Sequence, residues 1–206
     1  IHLVESAGIN LMNYTVEFWA RTGGMFNGLA KLSAAGIPTI AVLHGLSTAG
    51  GAYQPGMSDY VVGVKKNGMA ALAGPALLKA ATGQIADNEE LGGSEMHARV
   101  TGLVEYLADN DSQAIEITRD IVEKLDWNSK CEKRREVSFS KPIYDASEIA
   151  GVVPVNYRIP YEVREVIARI VDGSDFIDFK PMYGASTVCV QTKIHGHSCG
   201  IIGNNG

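Results

Sequence analysis

The chain lacks the features that mark membrane, secreted and nucleic-acid-binding proteins. No apolar run approaches the roughly 20 residues of a membrane-spanning helix. The 18 Lys and Arg residues are outnumbered by 23 Asp and Glu residues, which opposes electrostatic attraction to nucleic acid or anionic lipid. Three cysteines, Cys131, Cys189 and Cys199, do not make a disulfide framework. We therefore expect no membrane, no nucleic acid, and a reducing compartment, cytoplasmic or, in a eukaryote, the mitochondrial matrix.

What the chain does have is the composition of a well-packed globular protein. Of its 206 residues, 46% are hydrophobic and 20% are charged, which fits one ordinary domain or two small ones. The sequence begins at Ile1 rather than Met and stops at Gly206 after an apolar stretch. We therefore expect a piece of a longer protein.

Short apolar runs, glycine-rich corners and amphipathic stretches follow one another along the chain. This order predicts strands at residues 1–4, 39–43, 60–64 and 69–73, and helices at residues 18–32, 75–81, 112–125 and 162–171. Repetition of strand, glycine corner and helix favours an α/β class. Residues 188–194 and 198–202 are typical of a hairpin, which needs further sheet or helix to cover it. Residues 130–142, charged and without periodicity, indicate a linker or a surface excursion.

The most informative segment is residues 44–53, His-Gly-Leu-Ser-Thr-Ala-Gly-Gly-Ala-Tyr, between a buried strand and a helix. Adjacent glycines at Gly50 and Gly51 let the backbone approach a ligand and offer amide N–H groups to an oxyanion. A tight turn without any ligand is the alternative. A phosphate loop fits poorly, because Gly51 and Ala52 stand where Lys and Ser or Thr would be needed.

A second candidate is residues 72–83, Leu-Ala-Gly-Pro-Ala-Leu-Leu-Lys-Ala-Ala-Thr-Gly, with Leu-Gly-Gly-Ser-Glu-Met-His following at 91–97. Small residues at a helix start either make room for a flat ligand or permit close packing. The residues alone leave both readings open.

Several segments together carry a family resemblance. Residues 47–53 with 55–59, residues 72–75 with 79–83, residues 91–93 with His97, residues 163–174 and residues 203–206 look like segments of the carboxyltransferase (beta) subunit of biotin-dependent acyl-CoA carboxylases, in that family's order. The Thr-Ala-Gly-Gly-Ala-Tyr version is most similar to the methylcrotonyl, geranyl and broad acyl-CoA branch. Residues 12–22 and 195–199 depart from the pattern.

The resemblance implies a crotonase-like fold of two domains, each a superhelix of ββα units. Residues 1–150 would form an N-terminal domain whose first part is missing. Residues 151–206 would form a connecting helix and the opening strands of a second domain, with another glycine-rich oxyanion corner beyond Gly206. Because nothing after Gly206 is available to cover the hairpin, we expect residues 1–206 alone to be poorly soluble or partly unfolded, and inactive.

The resemblance also implies an activity, the transfer of a carboxyl group from carboxybiotin to the α- or vinylogous γ-carbon of an acyl-CoA through an enolate. Biotin would be carried by a partner, a biotin carboxylase or biotin carrier subunit, and the chains would form a homo-oligomer, a hexamer. The catalytic residues would be Gly50 and Gly51, and a side chain at Gly51 would block the oxyanion position without disturbing folding. The substrate-binding residues would be Ser6, Ala7, Gly8, Thr48, Ala49, Ala52, Tyr53, Gly74 and Pro75.

Other readings stay open beside this one. A crotonase-like CoA-ester hydratase or decarboxylase would use a carboxylate such as Glu5 or Asp59 and no biotin, and an assembly subunit would have no activity. His195, His197 and Cys199 could suggest zinc, but alternate residues on a hairpin favour packing, and we expect no metal. Cys131 and the basic run 133–135 indicate a solvated loop.

Overall fold

The computed structural model describes residues 1–6, 12, 15–125, 127, 138–156 and 158–205. The backbone divides into two compact units, Ile1–Thr118 and Arg119–Gly206. Among the described residues, no helix has the length and apolar character to cross a membrane. The assignment of domains to residues 1–150 and 151–206 stays a prediction.

Parallel strands and short helices make up the first unit. Its strands are β1 His2–Ser6, β2 Ile40–Thr48, β3 Tyr60–Val64, β4 Met69–Ala71 and β5 Tyr106–Ala108. Its helices are α1 Val16–Ala34, α2 Tyr53–Gly56, α3 Pro75–Thr82, α4 Asn88–Gly92 and α5 Ser94–Met96, with α6 Asp111–Leu125 running on into the second unit. A 3₁₀ turn at Ala49–Gly51 and a π-helical turn at His97–Thr101 complete it.

The sheet is parallel, in the order β1-β2-β3-β5, with β4 pairing with β2 off this path. β2 divides its pairing, because its first half lies beside β3, with Ile40 opposite Tyr60, and its second half beside β4, with Ser47 opposite Ala70. The first four residues of β2 are buried, as expected for a strand covered on both faces. The predicted α/β class is confirmed.

Most of the predicted elements are present. β1, β3, β4, α1, α3 and α6 agree with the predicted ranges, and β2 is longer than predicted, reaching Thr48 instead of residue 43. The three-residue strand β5 and the π-helical turn were not predicted. α1 begins where the Thr15 hydroxyl accepts a hydrogen bond from the Phe18 N–H (3.1 Å), and Gly36, with φ 70°, follows its end.

Asp59 ties the entry of β2 to the end of α1. Its Oδ2 accepts hydrogen bonds from the N–H (2.8 Å) and the hydroxyl (2.9 Å) of Thr39, and its Oδ1 accepts one from the Ser33 hydroxyl (2.5 Å). Burial raises the pKa of Asp59, but these hydrogen bonds outweigh it and hold the pKa below its usual value. The carboxylate therefore has a structural role.

The second unit is antiparallel. Its helices are α7 Ile149–Val152 and α8 Val163–Ala168, and its strands are β6 Phe176–Phe179, β7 Thr187–Ile194 and β8 His197–Asn204, in the order β6-β7-β8. Ile167, Val171, Val188 and Val190 form its buried core. The predicted hairpin is confirmed, and the predicted helix is shorter. The expectation that the hairpin lacks a cover in this chain is wrong, because β6 pairs with β7 and Ile167 of α8 packs against Val188 and Val190. Most of the predicted linker, residues 130–137, lies outside the described residues.

Two of the family-like segments meet in this unit. The Val163 N–H donates to Asn205 Oδ1 (2.9 Å), and a Cβ added at Gly203 would lie 3.1 Å from a methyl group of Val163. Arg164 donates to Asp178 Oδ1 (2.9 Å) and to Glu162 Oε1 (2.8 Å). These contacts fix the end of β8 against the start of α8.

The Asp59 network predicts a pH-dependent stability. A carboxylate whose pKa is lowered by folding stabilises the protein above its unfolded-state pKa, near 4, and that contribution is lost as the pH falls through the lower folded-state pKa. We expect Asp59→Asn to cost about 1 kcal/mol at pH 7 and less at pH 3.

Thermal unfolding of the two proteins at both pH values measures this difference. Asp109→Asn is the control, because it removes only an exposed ion pair with Lys65 (2.6 Å), worth well under 1 kcal/mol. Equal losses of unfolding free energy for the two variants at pH 7 would show that the Asp59 hydrogen bonds contribute no more than an exposed ion pair.

Candidate active site

The glycine corner, defined as residues 48–52, connects β2 to α2. β2 ends at Thr48, the backbone passes through the 3₁₀ turn Ala49–Gly51, and α2 begins at Tyr53. Ala49 has φ 51°, a left-handed conformation that costs free energy for a residue with a Cβ. Strain of this kind is concentrated at functional sites, where the surrounding structure imposes it.

Hydrogen bonding in the 3₁₀ turn distinguishes the two glycines. The Ala52 N–H donates to the Ala49 carbonyl (3.1 Å), in the i+3 to i pattern of such a turn. That pattern supplies no acceptor inside the turn for the N–H groups of its first two residues, Ala49 and Gly50. The Gly50 amide is therefore the member of the predicted pair with no partner provided by the turn.

The surroundings of the two glycines also differ. Among the residues that the structure describes, a Cβ at Gly50 would meet only Phe26 Cζ, at 3.9 Å, whereas one at Gly51 would lie 2.7 Å from Ser6 Cβ and 3.1 Å from Ser47 Oγ. The expectation that Gly51 tolerates a side chain is therefore wrong, because its Cα faces the packed interior. Gly50 is the position with room for one.

Ser47 lies directly beneath the corner. It is 0% exposed, and its hydroxyl has no hydrogen-bond partner among the described residues. Ser47 is paired across the strands with Ser6 of β1. A buried hydroxyl without a partner costs free energy, so the small size of Ser47, which lets Gly51 approach, is its evident contribution. The sequence analysis included Ser47 in the segment 44–53 but assigned it no role.

An apolar cleft of about 530 Å³ adjoins the glycine corner. It brings together the corner, the end of β4 with α3, and the segment that follows α4. Its lining residues are Ala52, Ala70, Ala71, Leu72, Ala73, Leu78, Leu91, Met96, His97, Thr101 and Leu103. The two candidate segments of the sequence analysis therefore meet at one cavity, and Ala52 belongs to both the corner and the cleft.

The other predicted substrate-binding residues lie around this cavity or beyond the description. Gly74 and Pro75 begin α3, between the lining residues Ala73 and Leu78. Tyr53 is 54% exposed, and its ring centroid lies 5.5 Å from that of Phe26 on α1. Ser6 ends β1. Ala7 and Gly8 lie outside the described residues.

Phe26 is a residue that the sequence analysis missed. It is half-buried, it contacts Tyr53, and it is the nearest neighbour of a side chain added at Gly50. The helical spacing of α1 gave no sign that Phe26 lies beside Gly50, since the proximity of two residues 24 positions apart depends on tertiary packing.

The carboxylates that a hydratase or decarboxylase would need have other contacts. Asp59 is engaged by Ser33 and Thr39. The Glu5 side chain lies across Gly45 of β2, with its Cγ 2.6 Å from where a Gly45 Cβ would be. The residues that line the cleft include no Asp or Glu.

In the second unit, His195, one of the residues that could suggest zinc, lies at the hairpin turn, and His197 and Cys199 lie on β8. The His195 ring stacks on Phe139, with centroids 4.5 Å apart, and the N–H groups of His195 and Gly196 donate to the Asp172 carboxylate (2.8 and 2.5 Å). Burial, together with the Asp172 charge, raises the pKa of the Cys199 thiol. Within the described residues, no group of three His, Cys, Asp or Glu side chains could hold a metal ion. Cys131 and residues 133–135 lie outside the description.

Comparison with known proteins identifies the family to which this corner and cleft belong. The carboxyl transferase domain matches residues 1–206, the entire chain. The chain belongs to the carboxyl transferase domain family. The resemblance drawn from the sequence motifs is therefore confirmed, as is the crotonase-like α/β fold class.

Three members of the carboxyl transferase domain family illustrate the match. A probable biotin-dependent acyl-coenzyme A carboxylase beta2 subunit from Mycobacterium tuberculosis is 51% identical over 99% of this chain and 38% of its own length. The beta subunit of geranyl-CoA carboxylase from P. aeruginosa is 50% identical, with a TM-score of 0.57 over 99% of this chain and 38% of that one.

The third, transcarboxylase 12S, was solved as a hexamer with hydrolysed methylmalonyl-coenzyme A bound, and is 29% identical, with a TM-score of 0.83 over 99% of this chain and 39% of that one. The chain thus spans less than two fifths of the length of these relatives.

The glycine corner predicts an unequal response to one added methyl group. Gly51→Ala should destabilise the protein by about 1–3 kcal/mol through overpacking against Ser6. Gly50→Ala should change stability by less than about 0.5 kcal/mol, because its Cβ has room. Gly56→Ala in α2 is the matched control, since a Cβ there meets nothing within 4 Å.

Thermal unfolding of the three variants beside the parent protein ranks them. Equal unfolding temperatures for Gly50→Ala and Gly51→Ala would contradict the contact between Gly51 and Ser6.

Proposed function

We propose that this chain is part of the carboxyltransferase component of a biotin-dependent acyl-CoA carboxylase. The reaction moves a carboxyl group to the α- or vinylogous γ-carbon of an acyl-CoA. The observation that carries the proposal is the meeting of the glycine corner with the apolar cleft at Ala52. In this arrangement an acyl chain occupies the cleft while its thioester carbonyl reaches the corner. Membership of the carboxyl transferase domain family supports it.

Carboxylation requires an enolate, and its difficult step is the development of negative charge on the thioester oxygen. Preorganised backbone N–H groups stabilise such a charge without reorganisation, and the loss of one donor costs a factor of about 10² to 10³ in rate. We assign this role to Gly50 and Gly51, with the Gly50 amide the stronger candidate, because the 3₁₀ pattern leaves it free of an acceptor inside the turn. Thr48, Ala49 and Tyr53 border the same oxygen site.

The residues that line the cleft fit a reaction whose base is supplied by another molecule. The cleft is lined by Ala, Leu and Met with one His and one Thr, and both ring nitrogens of that His97 are hydrogen-bonded. Biotin, when bound, supplies the carboxyl group and a ring nitrogen as base. The role of this chain is then to bind the acyl-CoA, exclude water and stabilise the enolate oxygen.

The proposal extends to the assembly. We infer that biotin reaches the site on a partner, a biotin carboxylase or biotin carrier subunit, and that the carboxyltransferase chains form a hexamer like that named for transcarboxylase 12S. The apolar cleft supports a substrate of the methylcrotonyl, geranyl or broad acyl-CoA branch, because it offers an apolar surface to the acyl group. The cytoplasm, or the mitochondrial matrix in a eukaryote, is the compartment we propose.

A side chain at Gly50 tests the oxyanion assignment. Gly50→Val directs two methyl groups into the open space beside Phe26, where the thioester oxygen would bind, so we expect kcat for carboxyl transfer to fall by about 10² to 10³ with little change in unfolding temperature. The assay uses the full-length protein with its biotin-carrying partner. Gly56→Val is the control. Gly56 lies in α2, four residues after the end of the glycine corner, so this variant should retain activity.

Normal turnover by a folded Gly50→Val protein would exclude the glycine corner as the oxyanion site. Turnover of an acyl-CoA by the unsubstituted protein without biotin, abolished by Glu5→Gln, would instead favour a hydratase or decarboxylase. Failure of the full-length protein to bind any acyl-CoA would favour an assembly subunit.

A further inference from the structure

One wall of the cleft depends on a short strand. Ala70 and Ala71 of β4, with Leu72 and Ala73 after them, contribute four consecutive residues to the lining. β4 has only three residues, and its ladder partner among the described strands is the second half of β2. A strand this short forms few ladder hydrogen bonds, so its position depends on contacts from elsewhere.

Residues 92–94 hold the start of this strand. Ser94 donates from both its N–H (2.9 Å) and its hydroxyl (2.8 Å) to the Gly68 carbonyl, and Gly93 forms an antiparallel bridge with Met69. A Cβ at Gly92 would press against the Ala70 carbonyl oxygen. The Leu-Gly-Gly-Ser segment therefore fixes the strand as far as Ala70.

His97 holds the next group along the strand. Its Nε2 lies 2.7 Å from the Ala70 carbonyl oxygen, and its Nδ1 lies 2.8 Å from Thr101 Oγ1. A carbonyl oxygen only accepts, so Nε2 carries a proton and donates it to the Ala70 carbonyl. The Thr101 hydroxyl also lies 3.2 Å from the His97 carbonyl oxygen, to which it can donate. That hydroxyl also accepts from the Leu103 N–H (3.2 Å). Hydrogen bonds at both ring nitrogens fix the orientation of the ring.

The π-helical turn His97–Thr101 explains how these two side chains meet. A π-helical turn is rare and is frequently found at functional sites. Here it begins at His97 and ends at Thr101, the two residues whose side chains are hydrogen-bonded to one another. Both residues also line the cleft.

We propose that His97 is a positioning residue for acyl-CoA binding, which holds the Ala70 carbonyl and so keeps residues 70–73 in place as the wall of the cleft. This inference rests on the proposed function, because it assigns the acyl group of a CoA thioester to the cleft. His97 does not act as a base, since both of its nitrogens are engaged. A wall contacts the substrate equally in the ground state and the transition state, so its loss raises KM and leaves kcat unchanged.

Substitutions at His97 and Thr101 in the full-length holoenzyme test this role. His97→Leu removes the donor, and we expect KM for the acyl-CoA to rise about tenfold with kcat within about twofold. His97→Gln retains an N–H that can reach the Ala70 carbonyl and should restore most of the binding. Thr101→Val, which releases the ring, should raise KM about threefold. Val100→Ala, an exposed neighbour in the same turn, is the matched control.

Amide hydrogen exchange of peptides covering residues 69–73 provides a readout that does not depend on activity. Exchange there should accelerate in His97→Leu, return towards the parent rate in His97→Gln and stay unchanged in Val100→Ala. If His97→Leu does not assemble, Thr101→Val and His97→Gln carry the same comparison.

The outcomes separate this inference from the proposed function. Unchanged exchange and unchanged KM in His97→Leu overturn the inference, and so does a fall in kcat at constant KM. Accelerated exchange at constant KM also overturns it, while leaving the proposed function intact. Failure of the unsubstituted holoenzyme to carboxylate any acyl-CoA overturns the proposed function, and that result precedes any variant.

Discussion

β2 pairs with three parallel strands, and this pairing decides where the candidate site can form. Its first half lies against β3, and its second half lies against β4. The same second half ends at Thr48, where the backbone enters the 3₁₀ turn. Because Ser47 is opposite Ala70, the end of β2, which leads into the glycine corner, lies beside the end of β4, which leads into the cleft wall. A shift in this register would separate the corner from the cleft.

Two adjacent glycines in the corner have different physical roles. Gly51 is required for packing, since Ser6 and Ser47 occupy the space that a Cβ would need. Gly50 has room for a Cβ in van der Waals contact with Phe26, among the described residues, and its amide has no acceptor inside the turn. Packing at one glycine therefore positions the amide of the other, at the cost of a strained Ala49. A cleft lined without carboxylates fits a carboxyltransferase whose base arrives with its cofactor.

Apolar runs and glycine positions were enough to predict the α/β class, most of the strands and the corner at Gly50. They could not predict the second half of β2, because residues 44–48 include His, Gly, Ser and Thr and carry no strand pattern. β5, with three residues, is too short for periodicity to detect. The contact of Phe26 with Tyr53 and the hydrogen bond from His97 to Ala70 join residues 27 positions apart in each case. Only the folded backbone brings such residues together, and the packing behind Gly51 was mispredicted for the same reason.

The central claim is that the glycine corner binds the thioester oxygen while the cleft holds the acyl group. A structure of the full-length protein with a stable acyl-CoA analogue tests it most directly. The account predicts the thioester oxygen at hydrogen-bond distance, about 2.7–3.1 Å, from the Gly50 nitrogen, with the acyl chain against residues 70–73. An analogue bound elsewhere, with its thioester oxygen remote from Gly50 and Gly51 and the cleft empty, would contradict it.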